Sequence, residues 1–294
     1  MTFVGWLTLA DVAYQMGLIM RRFQCALLAA VAVIGFASIG SAADLPTKAP
    51  AYNAPAPIAY SWTGWYVGGN VGGAWSRSDV STSVPCSAAC AYFAPANAAA
   101  INANGGSKIS GNGAIGGIQA GYNVQSGSFV YGLEADINFL SAKTSRSLAI
   151  AYLLAPTNGN IFTDEVKANW IATLRPRIGV LVGGILPYVT GGLAVTTIKH
   201  THGVTENFFG TFCGFCNIDP ASETSKTKLG WTVGGGAEWA VGGNWSVKGE
   251  YLYTSFGSVD STSSYVAIPA QTFNHSANLS VQTVRLGLNF KLGQ

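Results

Sequence analysis

The chain has 294 residues, 49% hydrophobic and only 10% charged, with a mean hydropathy of +0.29; an average soluble domain is about 25% charged. A net charge of +3 gives no basis for a nucleic-acid or acidic-polymer partner. The charge deficit and the 37 glycines point to a membrane class.

Residues 1–42 read as a cleaved N-terminal extension and signal peptide. From Met20 the sequence "MRRFQCALLAAVAVIGFASIGSAADLP" sets two arginines before an apolar run, then small residues suited to cleavage after Ala42 or Ala43. Residues 1–19 fit no such signal, so translation is expected to start at Met20; Cys25 stands too early for lipid attachment. Residues 43–60, rich in proline, read as an extended periplasmic tether. One domain, 61–294, follows.

That domain opens with "SWTGWYVGGNVGGAWS" (61–76), in which Trp65, Val67, Val71 and Trp75 share one face at period two. Trp65 and Trp75 are ten residues apart, which in a tilted strand is about 25 Å, the height of a lipid-facing barrel band. Eight such segments are expected, near 62–76, 113–125, 129–139, 167–180, 186–196, 228–240, 245–256 and 280–292. Short turns fall at Ser126–Ser128, Val182–Ile185 and Val241–Asn244. Long loops are expected at 77–112, 140–166, 197–227 and 257–279. The uncharged run 178–198 has the length of a membrane helix, but its five glycines, Pro187 and β-branched residues favour two strands turning at Gly183-Gly184. No helix is called for after the leader.

The two faces of these segments differ in polarity. Phe129, Tyr131, Leu133, Ile137 and Phe139 oppose Glu134 and Asp136. Leu229, Trp231, Val233 and Trp239 oppose Glu238; Trp245, Val247, Tyr251 and Tyr253 oppose Lys248 and Glu250. Val284, Leu286, Leu288 and Phe290 oppose Arg285. Only the segment at 186–196 is apolar on both faces, and its register stays open. Apolar outside with charges inside fits a transmembrane barrel, not a soluble one. Trp65, Trp75, Phe129, Phe139, Trp231, Trp239, Trp245, Tyr253 and Phe290 are the expected aromatic girdle. Counting from the short turn, Glu134 and Asp136 should lie level with Arg175 and Arg177. With Glu238, Lys248, Glu250 and Arg285 they make four acids and four bases, read as a paired structural network in preference to an ion or solute site.

"AADLPTKAP", "SWTGWYVGGNVGGAW", "GLEAD", "RPRIG", "LPYVTGGLA" and "VRLGLNF" resemble the small outer-membrane β-barrel porins or immunogenic proteins of alphaproteobacteria such as rhizobia and brucellae. The resemblance spans about 43–294, long loops excepted. It implies an eight-stranded antiparallel barrel in the outer membrane, with short periplasmic turns, four extracellular loops and antigenic exposure. Members usually end on an aromatic residue read by the insertion machinery; Leu292 stands there in this chain.

The remaining motifs carry less. "GNGAIG" (111–116) matches a dinucleotide-binding glycine pattern without the strand-turn-helix setting that pattern needs. In an exported protein, Cys86, Cys90, Cys213 and Cys216 are expected to form loop disulfides, paired locally as Cys86–Cys90 and Cys213–Cys216; cross-pairing stays open, and zinc on the four thiols is disfavoured. His200 and His202 share a face but make an incomplete metal site and are read as a solvated loop. His275 and Ser276 invite comparison with outer-membrane lipid hydrolases, yet adjacent strand residues point to opposite faces. The expected function is structural and surface-interactive, without enzymatic activity, cofactor or metal. Its partners would be outer-membrane lipid and lipopolysaccharide, the assembly machinery during insertion, and extracellular ligands at the loops. A passive porin-like channel is the alternative, although eight strands enclose little more than their own side chains; a lipid-modifying enzyme comes third.

Overall fold

A computed structural model describes residues 60–85, 93–153, 158–208 and 218–293. The leader, all of the tether but Tyr60, and the four cysteines lie outside these residues. The elements in chain order are β1 (Gly64–Ser83), α1 (Pro95–Asn104), β2 (Gly106–Ser126), β3 (Phe129–Ala151), β4 (Asn158–Val180), β5 (Ile185–Phe208), β6 (Ile218–Gly242), β7 (Trp245–Ser264) and β8 (Thr272–Leu292). Each strand pairs antiparallel with its neighbours, and β1 pairs with β8 to close a barrel of eight strands. The hairpin between β4 and β5 turns on Gly183 and Gly184, whose φ values of +57° and +88° suit glycine. Lumen-facing glycine also lets strands approach: a Cβ on Gly72 would sit 2.0 Å from the Val284 carbonyl oxygen.

The segments expected as long loops are mostly strand. The strands run 20 to 25 residues, which makes the ladder about 50 Å tall at a tilt near 40°, twice the lipid-facing band. The reason is an inversion of polarity along strands such as β1 and β4. On β1 the outward residues change from Val67, Val71 and Trp75 to Arg77, Asp79 and Ser81, while the inward ones change from Tyr66 and Asn70 to Val80, with Val84 buried just past the strand. On β4 they change from outward Ile178 and Leu174 to Lys167, Glu165 and Thr163, with Val166 and Phe162 turned inward. Strands sought by their apolar outer face end where that face turns polar.

Pairing changes at the same level. The β2–β3 ladder stops at Ile115↔Leu140 and the β6–β7 ladder at Trp231↔Ser255, whereas the other ladders continue to the far end. The far half is therefore two four-stranded sheets, β2-β1-β8-β7 and β3-β4-β5-β6, facing each other across two seams in the manner of a sandwich.

One further expectation is corrected, and one open point resolves. A helix is present: α1 has proline in its first turn, where the missing N–H would be unpaired anyway, and a body rich in alanine, the best helix former. It buries Ala98 and Ile101 among Phe93, Tyr152, Tyr265 and Phe273, which cap the interior of the far half. The register of β5 also resolves, with Leu186, Tyr188, Thr190, Ala194 and Ile198 inward and Ile185, Val189 and Leu193 outward.

Candidate functional site: the barrel interior

The lumen is filled in layers. At the short-turn end Trp62, Val130 and Leu186 pack together. Above them lies a charged layer around Arg175, which is fully buried. Its guanidinium donates to Glu134 at 2.7 Å, to Asp136 at 2.7 Å, to Glu250 at 3.0 Å and to the Thr173 hydroxyl at 2.9 Å. Strand register sets this up, since Glu134 pairs with Arg175 and Asp136 with Thr173. Lys248 donates to both oxygens of Glu134, at 2.7 and 2.8 Å, and the Tyr66 hydroxyl donates to the same carboxylate at 2.7 Å. Arg285 bonds Glu250 and stands 3.5 Å from Asp136.

Arg177 belongs to a second knot in this layer. It donates to Glu238 at 3.0 Å and to Asn123 at 3.0 Å, with its guanidinium over the rings of Tyr66 and Tyr188 at 4.8 and 5.2 Å. Glu238 also accepts from Asn289 at 2.7 Å and Ser246 at 2.5 Å. All eight charges named from the sequence thus meet in one buried layer, four acids against four bases. The neutral partners Tyr66, Asn123, Thr173, Tyr188, Ser246 and Asn289 were not foreseen; only cross-strand register brings them in. A cavity lined by Tyr60, Trp62, Tyr66, Asn123, Glu238, Ser246 and Lys291 holds 10 Å³, about the space of one water.

On the outside, aromatic residues form two rows. Trp65, Phe129, Trp239, Trp245 and Phe290 stand near the short-turn end, where register links Trp245 to Phe290 and Phe290 to Val67. Trp75, Phe139, Trp231 and Tyr253 stand at the level where the outward face turns polar, and Tyr253 and Trp75 are both paired with Gln282. Trp170, paired with Phe139, joins this second row. Phe290 and Tyr253 are half-buried, against ring contacts with Trp245 at 4.8 Å and Trp231 at 5.4 Å, and so is Trp170; the remaining members are exposed.

The model of the outer membrane protein β-barrel domain matches residues 29–291. The chain belongs to this family. Among relatives of this barrel, the 31 kDa outer-membrane immunogenic protein of Brucella melitensis is 31% identical over 90% of the chain and 98% of its own length. The 25 kDa outer-membrane immunogenic protein of Brucella abortus is 26% identical over 92% and 100%. The 22 kDa outer membrane protein of Rhizobium leguminosarum is 29% identical over 71% and 72%. This is a protein of the outer membrane.

In this outer-membrane barrel, the next interior layer is apolar and includes Val80, Ile109, Val166, Ile198, Phe256 and Ala277. Beyond it lies a polar layer that the sequence reading misplaced. His200 and His202 are not solvated: they are 0% and 2% exposed, inside the far half, where His275 joins them at 2%. The His202 and His275 rings stack with centroids 4.1 Å apart. His200 Nε2 is 3.1 Å from Asp164, which accepts from Arg146 at 2.9 Å. Burial holds His202 down at about 4, helped by His200, and holds His275 down at about 3, helped by His202. Burial pushes the Asp219 carboxyl up, the Ser263 hydroxyl opposing it. Burial acts to raise Asp164 too, but its bonds from His200 and Arg146 prevail and lower it.

Ser276 points outward and donates to Asp260 at 2.6 Å, away from His275. The serine that does meet His275 is Ser263, 2.9 Å from Nε2, and its hydroxyl also bonds Asp219. The serine thus stands between imidazole and carboxylate, whereas nucleophile activation places the imidazole in the middle. The glycines of "GNGAIG" lie within β2, paired to β1, with no helix opening there.

Proposed function

We propose that this outer-membrane barrel is a structural and surface-interacting component of the envelope, without enzymatic activity and without an open channel. The packed charged layer carries this reading. Arg175 and its three carboxylates cross a lumen that eight strands leave just wide enough for side chains, and apolar layers lie on both sides of it. The short-turn end, where β1 begins and β8 ends, faces the periplasm; the two-sheet half projects from the cell. Relatives named as immunogenic support the assignment of that half as the antigenic surface.

The two aromatic rows mark the membrane interfaces, and the band between them contacts lipid. Immediately outside the upper row, Arg77, Lys108, Lys143, Lys167 and Lys199 face outward, interspersed with Asp79, Glu165, Glu223 and Asp260. Cations at this level suit the phosphates of lipopolysaccharide. The insertion machinery is the other partner, during assembly, and extracellular ligands would meet the outer ends of the two sheets.

Planar-bilayer recording on the purified, refolded protein tests the absence of a channel. The expected result is no steady conductance above the bare membrane. A reproducible conductance that shifts when Glu134 or Arg175 is replaced by a bulkier residue would establish a pore through the charged layer and overturn this reading.

A further inference from the structure

The histidine layer holds a donor set that the structural role does not use. His202 on β5, Asp219 on β6 and His275 on β8 are all buried, and each offers one donor atom within 4.8 Å of the others. We propose that these three side chains bind a divalent transition-metal ion of the zinc type inside the projecting half of the protein.

Three observations point the same way. His202 Nδ1 and His200 Nδ1 are buried with no hydrogen-bond partner among the described residues. An orphaned nitrogen in a closed interior is costly unless something satisfies it. Second, the surrounding contacts resemble those that orient ligands at metal centres. Thr82 Oγ1 lies 3.0 Å from His275 Nδ1, and Asp164, itself held by Arg146, lies 3.1 Å from His200 Nε2. Ser263 links Asp219 to His275, so two of the three donors are already tied together.

The third is position. His202 and Asp219 stand on the β3-β4-β5-β6 sheet and His275 on the other, and the Asp219 strand borders the seam where β6 and β7 no longer pair. Side chains bridge that seam, Lys226 to the Asp260 carbonyl at 2.6 Å and Ser263 to Asp219. A metal ion held from both sheets would add a stronger clasp at the place where the backbone ladder is missing.

Two imidazole nitrogens and one carboxylate suit zinc, copper or nickel; calcium and magnesium favour oxygen-rich shells. Zinc bonds of about 2.0–2.2 Å require the three donors to draw together slightly. A water or the Ser263 hydroxyl would complete four-coordination.

The test uses the full-length protein, refolded in detergent and stripped with chelator, with cobalt(II) as the spectroscopic probe and zinc as the competitor. The expected result is one cobalt per barrel with visible d–d absorption of tetrahedral intensity, lost on adding zinc. H202Q and H275Q should each weaken cobalt binding more than about tenfold, and the positioning variant T82V by up to about tenfold. Heat-modifiable gel mobility confirms that each variant is folded before titration. An unfolded variant is replaced by D219N, which keeps the shape of the site. Absence of saturable binding to the folded wild-type protein overturns the proposal. So does unchanged binding by folded H202Q and H275Q. A sulfur-to-cobalt charge-transfer band would place the metal on the cysteines and overturn it equally.

Discussion

Arg175 is the residue on which the interior turns. It is fully buried, yet four partners on β3, β4 and β7 satisfy it, so its desolvation is offset by ion pairs and hydrogen bonds together. Removing it strands negative charge on Glu134, Asp136 and Glu250. Arg175→Met should therefore destabilise the folded barrel by about 3–5 kcal/mol. Glu134→Gln should also cost stability, because Lys248 and Arg175 both bond that carboxylate. The double variant should cost less than the two single costs added, because the two side chains share one contact. Urea titration in detergent, with folded fraction read from gel mobility, measures all three. Additive costs would mean that Arg175 and Glu134 do not interact in the folded protein. Alternation alone put the eight charges on one face of their strands. Which acid meets which base needed register, as did the tyrosine and serine partners, since Tyr66 is 68 positions from Glu134. His275 was harder still: it lies 73 positions from His202, and nothing local to either histidine signals the other.

At the scale of the strand, one sequence serves two solvents. Lipid contacts the band between the aromatic rows, so its outward residues are apolar and its inward ones polar. Beyond Trp75, Phe139 and Trp231 the outside is water, and hydrophobic burial turns the apolar residues inward. A strand whose apolar residues pass from the outer face to the inner, by the choice of residues on β1 and by a bulge between Ala168 and Ala172 on β4, looks, from sequence, like a strand followed by a loop. That is why the lipid-facing halves were legible and the projecting halves were not. The helix escaped for another reason: ten residues over an interior cap give two buried positions, too few to make a periodic signal. Position along one strand should therefore govern the cost of a charge. Val71 and Ser81 both face outward on β1, ten residues apart. Val71→Arg should reduce stability in lipid vesicles by about 2–4 kcal/mol, whereas Ser81→Arg should stay within about 0.5 kcal/mol of the parent. Equal costs at the two sites would place both positions in the same solvent and remove the inversion.

For the whole molecule, the decisive question is whether the projecting half is a set of loops or a folded body. Proteolysis needs about ten residues of extended chain in the protease, so a cleavable bond in a ladder paired on both sides is protected until that ladder opens. Arg77 on β1, Lys167 on β4 and Lys199 on β5 lie in central strands of the two sheets, with neighbours on either side. Lys108, Lys143 and Lys226 lie on strands bordering the seams, each with ladder pairing on one side at that level. Trypsin added to intact cells should consequently leave the bonds after Arg77, Lys167 and Lys199 uncut, and confine early nicks to the seam lysines. Mass spectrometry of the products assigns each cut. Early fragments ending at Lys167 or Lys199 would show that these segments are exposed loops. Protection of the central lysines with cleavage at the seams would instead fit a lipid-embedded barrel that opens, outside the membrane, into two facing sheets with their own apolar interior. On the antigenic reading proposed above, an antibody would meet a rigid outer wall of paired strands in that architecture, and substitutions on that wall would alter recognition without reaching the charged layer that holds the membrane half together.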